Sequence, residues 1–210
     1  MILYCVRHGE SVYNAERRIQ GQTDVELSSL GLSQSGAVVE ELASLPIEAV
    51  YSSPLRRARQ TAEPLATALG LELRLDPRLA EINAGVFQGL DWDEIAARYP
   101  AEGVRWKSHD PDFVIPGGES RRQLAARAVE AFQAIRAAGG SRVAVIAHGG
   151  LLTAGFKGLF AVPLERNPFN LLNGSISQIV WDSEPQLLTL NQTEHLRRVA
   201  GLAEARTGDL

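Results

Sequence analysis

Met1-Ile2-Leu3-Tyr4-Cys5-Val6-Arg7-His8-Gly9-Glu10 is the stretch from which the rest of the chain is read. Its apolar run stops abruptly at Arg7, the pattern of a buried strand that delivers polar groups at its carboxyl end. In open α/β sheets such ends face the ligand crevice, because the chain leaves the sheet there and exposes N–H groups and side chains. An arginine beside a histidine suits a phosphoryl group: the guanidinium is a fixed fork of donors, and a neutral imidazole nitrogen is a competent nucleophile or base. Taken alone, the four residues Arg7-His8-Gly9-Glu10 serve equally well as a surface ion-pairing site.

Outward from this strand, residues 11–29 are polar and aperiodic, with Asn14, Arg17, Arg18, Gln20, Gly21 and Asp24, and read as a long loop with room for one helical turn that returns over the crevice. A helix is expected over 31–45, with Leu32, Ala37, Val38, Leu42 and Leu45 inward and Pro46 as its stop. A short strand over 47–51 leads into Ser53-Pro54-Leu55-Arg56-Arg57-Ala58-Arg59, where the serine–proline pair is expected to open a helix running to about 69. Three arginines in a first turn oppose the helix dipole, a conflict that a bound anion relieves; Arg56 and Arg59 suit a solvated face, and Arg57 is the inward candidate.

A third strand is expected over 71–75. Glu81 then stands in a Gly-punctuated stretch beside Ile82 and Phe87, where burial would raise a carboxyl pKa and keep an acid available at neutral pH. A short helix over 91–99, started by the solvated carboxylates Asp91, Asp93 and Glu94, precedes the proline-broken segment 100–118, which reads as a lid or pocket wall carrying Trp106 and Phe113. Leu124, Ala128, Ala131, Phe132 and Ile135 mark the inner face of a helix over 120–138, ended by Gly139-Gly140. The strand 142–147 ends in His148-Gly149-Gly150, a second histidine at a second strand end, with a helix over 151–160 behind it whose amino terminus adds anion-binding N–H groups. Residues 175–181 and 187–190 read as a hairpin or edge pair. The fold expected is α/β: a mostly parallel open sheet with helices on both faces, one domain over 1–193 with a short lid at 83–118, and a polar tail, 194–210, free to be disordered.

At 210 residues, 45% hydrophobic and 22% charged, the chain has the length for one such domain. A net charge of −4 offers no basic field for nucleic acid, so attraction for anions must come from a local arginine cluster. Cys5 is the single cysteine, which leaves neither an internal disulfide nor a thiolate metal cluster and points to the cytosol. No apolar run suggests a signal peptide or a membrane span. A cysteine phosphatase would need an arginine six positions after its nucleophile, and Ser11 stands six after Cys5; no Walker-type Gly-Lys-Ser/Thr loop occurs, and His109 and His195 lie outside any metal-ligand cluster.

The ordered set Arg7-His8-Gly9-Glu10 with Asn14, Gln20-Gly21, the 53–61 arginine segment, Glu81 with Gly85 and Gly89, Gly117-Gly118-Glu119-Ser120 and His148-Gly149-Gly150 resembles the histidine phosphatase, or phosphoglycerate mutase-like, superfamily from Ile2 to about Trp181. The resemblance implies a phosphomonoesterase of the histidine acid type acting through a phosphohistidine on His8. Arg7, Arg57 and His148 would hold the phosphoryl oxygens, and Glu81 would protonate the leaving oxygen. Asn14, Gln20, Gly21 and Gly149 would contact the phosphoryl group or substrate. It implies no metal or other cofactor, a small-molecule phosphomonoester as the partner, no nucleic acid or membrane, and room for a homodimer. Phosphoglycerate mutases of this superfamily carry a longer insertion after the glutamate, with basic residues for the substrate carboxylate. Here 83–118 is short and holds only Arg98, Arg105 and Lys107 as cations, which favours the phosphatase branch; a mutase, or a phosphate-binding scaffold, is the alternative.

Overall fold

The computed structural model describes residues 1–199. Six strands form one sheet: β1 (Ile2–Arg7), β2 (Ala49–Ser52), β3 (Leu73–Leu75), β4 (Arg142–Ala147), β5 (Ile176–Trp181) and β6 (Pro185–Gln192), in the order β3-β2-β4-β1-β5-β6. β1, β2, β3 and β4 pair in parallel, and β5 and β6 extend the β1 edge antiparallel. The helices are α1 (Val12–Ala15), α2 (Ser29–Leu42), α3 (Arg56–Leu69), α4 (Trp92–Arg98), α5 (Pro100–Lys107), α6 (Arg121–Ala138) and α7 (Gly149–Leu159).

Both faces of the sheet are covered, which is why β1 and β4 read as unbroken apolar runs instead of alternating. Leu3, Cys5, Val143 and Val145 share one core with Phe132, Ile135 and Phe156 from α6 and α7. Tyr4, Val6, Ala144 and Ile146 point the other way, into a second core with Val38, Leu42, Ala62 and Leu65 from α2 and α3. Register then sets the site: Arg7 lies opposite Ala147 and Ser52 opposite Ile146. The N–H groups of His8 and Ser53 continue the ladder to Ala147 O and Ile146 O, both at 3.0 Å, so three strands end at one level.

Several boundaries differ from expectation for identifiable reasons. α2 starts two residues early, under the Ser28 side chain that accepts from the Gly31 N–H, and it ends at Leu42. Leu32, expected inward, is 53% exposed, while Gln34 and Ser35 are buried. The helix is turned to serve the loop after β1: Gln34 Oε1 accepts from the Glu10 N–H at 2.7 Å, and a Cβ on Gly31 would lie 1.9 Å from Glu10 O. Ser35 Oγ donates to Gln60 O at 3.2 Å. That carbonyl lies four residues before Pro64, inside α3, whose missing N–H leaves it without its helical donor.

α3 begins at Arg56 instead of at the proline; Ser53 Oγ accepts the Leu55 N–H at 3.2 Å, and Leu55 holds the N-cap position without a side-chain bond. Within the segment read as proline-broken, Pro100 does not break structure but opens α5 at its first position, where its missing N–H costs nothing. After β6, the first part of the expected tail forms a 3-10 helix, Glu194–Arg198, that buries Leu196 to 1% exposure beside Gly174. The Gly174 N–H in turn donates to the carbonyls of Arg7 and His8, bracing the end of β1. Residues 200–210 of the tail lie outside the described part.

Candidate active site

His8 leaves β1 with its ring fully buried. Its Nδ1 lies 2.6 Å from Gly9 O, and a carbonyl can only accept, so Nδ1 carries the proton. Nε2 is then a lone pair, and Arg57 Nε donates to it at 3.3 Å. Burial first, then the charges of Arg57 and Arg7, hold the His8 pKa well below 6.5, against the smaller opposing effect of the Gly9 bond. The outcome is a neutral imidazole with a defined nucleophilic nitrogen. His148 sits beside it, ring centroids 5.1 Å apart at 62°, and its pKa is lowered first by burial, then by Arg57, His8 and Arg7. Its Nε2 is 2.7 Å from Ser53 Oγ. Ser53 Oγ also accepts the Leu55 N–H at 3.2 Å, and His148 Nδ1 has no protein partner among the described residues.

Arg57 is the inward member of its trio, 0% exposed, whereas Arg56 and Arg59 pair at the surface with Glu26 and Glu63. Its Nη1 and Nη2 donate to Thr23 O (2.9 Å) and Gly21 O (2.8 Å), so the loop before α2 orients the guanidinium. Gly21 thus enters the site through its carbonyl on Arg57. Thr61 Oγ1 ties this helix to the strand end, donating to Arg57 O at 2.9 Å and accepting the Gly9 N–H at 3.1 Å. Arg7 Nη1 donates to Leu171 O at 2.5 Å, and its guanidinium lies so close to Gly149 that a Cβ there would sit 3.3 Å from Cζ. Asn14 and Gln20 meet at Ser11: Gln20 Oε1 accepts from Ser11 Oγ at 2.7 Å, and Asn14 Oδ1 from the Ser11 N–H at 3.1 Å. Asn173 Nδ2 joins them, donating to both Asn14 Oδ1 and His8 O at 3.1 Å.

Glu81 reaches the same place from the loop after β3 and is 4% exposed. Its Oε1 accepts its neighbour Ile82's N–H at 2.8 Å, and its Oε2 accepts the Gly150 N–H at 2.9 Å. A Cβ on Gly150 would stand 2.6 Å from Oε1, so only glycine lets the carboxylate approach α7 this closely. The backbone of Glu81 is clamped too: its carbonyl accepts from Arg127 Nη2 (3.2 Å) and Gln22 Nε2 (3.0 Å). Arg127 also holds the carbonyls of Arg78 and Ala80 and pairs with Glu119 at 2.8 Å, whose other contact is the Asn83 N–H. All nine site residues expected from the sequence therefore converge. Ser53, Gly150, Glu119, Arg127 and Asn173 carry positioning duties that sequence reasoning did not assign. Ser53, Gly150 and Glu119 stood inside quoted motifs, but Arg127 and Asn173 are ordinary polar residues that only contact reveals.

The family model for the histidine phosphatase superfamily (branch 1) matches residues 3–193. The chain belongs to the histidine phosphatase superfamily. It is 37% identical over 210 residues to a metal-independent phosphoserine phosphatase of Arabidopsis thaliana, covering 97% of this chain and 87% of the relative. It is 36% identical over 189 residues to the Enterobacter sp. (strain 638) protein named "Probable phosphoglycerate mutase GpmB", covering 88% and 87%. Among solved structures, a mycobacterial glucosyl-3-phosphoglycerate phosphatase complexed with VO3 superposes with a TM-score of 0.82 at 36% identity, covering 90% of this chain and 98% of that one.

In this histidine phosphatase a cavity of about 100 Å³ abuts the histidines through Arg7, Gly149 and Gly150. Trp106 lines it, as expected of a pocket wall, but Phe113 is buried in the core below, with Arg105 over its ring. The cations of the 83–118 segment are spent elsewhere: Arg105 pairs with Asp110, Lys107 lies over Trp92, and Arg98 lies over Tyr99. The cavity is nonetheless not poor in charge, because Arg121 from α6 and Lys157 from α7 line it. The cation count by segment missed both, since a cavity draws on helices remote in sequence. Among the described residues no helix is long and apolar enough to cross a membrane.

Proposed function

We propose that the protein is an acid-type histidine phosphatase that hydrolyses a small-molecule phosphomonoester through a phosphohistidine on His8. The observation that carries the reading is the His8 ring, neutral, buried, with Nδ1 bound to Gly9 O and Nε2 turned to Arg57. Nε2 attacks phosphorus, forming the N–P bond as the P–O bond to the alcohol breaks, and Glu81 transfers its proton to the departing oxygen. Water then attacks the phosphoimidazole; the Glu81 carboxylate takes the water's proton, phosphate leaves, and His8 is restored with the enzyme in its starting protonation state. Gly9 O stabilises the charge that appears on the ring by accepting from Nδ1–H.

Arg7, Arg57, His148 and the Gly149 N–H hold the equatorial oxygens, where charge is spread in the transition state and prearranged donors stabilise it most. Asn14, Gln20 and Gly21 complete the cradle, Gly21 by orienting Arg57. No metal or cofactor enters this reading, and the partner is the small phosphate ester, with no nucleic acid or membrane surface. A cytosolic location is supported by the single cysteine, Cys5, which is buried as a free thiol; a homodimer is compatible with the reading and plays no part in it.

The test is an acid quench during turnover of labelled substrate. An acid-labile, base-stable adduct is expected on the wild type, and an equal yield on His8→Ala overturns the assignment. The mutase alternative is favoured by one observation, the Enterobacter relative's name. Incubation with 3-phosphoglycerate, with and without 2,3-bisphosphoglycerate, separates the two: isomer exchange faster than phosphate release means mutase, and release without exchange means phosphatase.

A further inference from the structure

The cavity beside the histidines lies where the alcohol part of the ester must go. Glu81 has to touch the leaving oxygen, and the residue whose N–H holds the Glu81 carboxylate, Gly150, is itself part of the cavity wall. At the same cavity stand two cations, Arg121 and Lys157, that form no ion pair among the described residues, although Asp110 and Glu165 act on them from farther off. Arg121 lies flat on Trp106, its Cζ 3.4 Å from the ring centroid, and its Nη1 is buried without a partner. Lys157 is 6% exposed and its Nζ makes one hydrogen bond, to Leu164 O at 3.3 Å. Neither forms an ion pair among the described residues; the nearby Asp110 is taken by Arg105 at 2.7 Å. A desolvated charge without a counter-ion is costly, and a helix of eighteen residues beginning at Arg121 places one cation where its dipole is also positive.

We propose that this cavity receives the alcohol part of the ester and that Arg121 and Lys157 select alcohols bearing a second anionic group, a carboxylate or a second phosphate. The inference rests on the phosphatase reading and adds the substrate class. Burial lowers Arg121 to about 10, and burial with the Arg121 charge lowers Lys157 to about 8, the behaviour of cations awaiting an anion. At neutral pH both remain charged. The other groups facing Lys157 are Glu165, which raises its pKa, and His109 on the cavity wall, which burial and the two cations keep below its usual range. The selectivity therefore weakens as pH rises through about 8, where Lys157 loses its proton.

The experiment compares kcat/KM for three esters: glycerol 3-phosphate, with a neutral arm, 3-phosphoglycerate, with a carboxylate, and propane-1,3-diol bisphosphate. The wild type is expected to prefer at least one anionic arm by about tenfold or more, because a site built to bind a group rejects the analogue that lacks it. Which of the two is preferred identifies the anion. Lys157→Gln and Arg121→Gln should each shrink the ratio, Lys157→Arg should keep most of it, and Arg98→Gln, a cation of the cover that lies over Tyr99 outside the cavity, should leave it intact. If Arg121→Gln does not fold, the Lys157 pair decides. A wild-type ratio near one, or a ratio that survives Lys157→Gln, overturns the proposal. Calorimetric titration of 3-phosphoglycerate and glycerol 3-phosphate into His8→Ala gives the same discrimination without catalysis, so absence of any phosphate release would sink the phosphatase reading while the cavity is judged separately.

Discussion

The histidine cradle and the cavity beside it are both buried and both cationic, yet they are held in different ways. In the cradle the polar side chains are locked to backbone: Arg57 to the carbonyls of Gly21 and Thr23, Arg7 to Leu171 O, and the neutral His8 ring to Gly9 O. In the cavity Arg121 rests on an aromatic face and Lys157 reaches one carbonyl at 3.3 Å. The first arrangement fixes its donors in advance, which is what the proposed stabilisation of a phosphoryl transition state needs. The second is built from side chains on helices α5, α6 and α7, among them Trp106, Arg121 and Lys157. On the proposed reading, the chemistry sits in the rigidly held region and the specificity in the other.

That contrast can be broken at its strongest point by His8→Ala, expected to lower kcat by on the order of 10⁶-fold, as loss of a covalent nucleophile does. A residual rate within tenfold of wild type, measured as phosphate release, would remove His8 from the centre of the cradle. Next, Arg57→Met should cost about 10²–10³-fold in kcat, the range for one prearranged donor. Arg57→Lys should recover little of it, because an ammonium cannot hold Gly21 O, Thr23 O and His8 Nε2 at once. Full recovery by lysine would mean that charge alone matters and that the locking described above is incidental.

Gly150→Ala sharpens the comparison at the seam between the regions. Its Cβ would meet Glu81 Oε1 at 2.6 Å, and displacing the acid should cost about 10²-fold on alkyl phosphates. The loss should be much smaller on p-nitrophenyl phosphate, whose oxyanion leaves unaided. Equal losses on both would assign Gly150 to the fold instead of to the placement of Glu81.

The smallest effects concern stability. His8 and His148 have folded pKa values below their ordinary 6.5, so the folded protein binds fewer protons than the unfolded chain in acid. Their stabilising contribution is complete above about 6.5 and is lost progressively as pH falls below it toward the folded values. Urea midpoints should fall from pH 7.5 to pH 5, and less steeply in His8→Ala. Ser53→Ala, which strips the partner from His148 Nε2, should lower stability by about 1–3 kcal/mol. A pH slope identical in wild type and His8→Ala would contradict the burial argument for that ring.

Local pattern was enough to determine a good deal. Two apolar runs ending in Arg7-His8 and in His148-Gly149-Gly150 read as β1 and β4 because a strand buried on both faces must be continuous in apolar side chains. Arg57 could be separated from Arg56 and Arg59 because helical spacing puts only one of the three inward. Boundaries were less legible: Leu32 is exposed and Gln34 is buried because α2 turns to serve Glu10 and the carbonyl freed by Pro64, a demand made by elements distant in the chain. Only the tertiary structure decided that Arg7 stands opposite Ala147, which sets His8 and His148 5.1 Å apart, and that Gly150 yields its side-chain space to Glu81. It alone brought Arg121 and Lys157, thirty-six positions apart (157 − 121), to one cavity wall. The physical reason is common to all of these: propensity and periodicity act over neighbouring residues, whereas register, close approach and the sharing of a desolvated cavity are fixed by packing between segments whose separation along the chain carries no record of the contact.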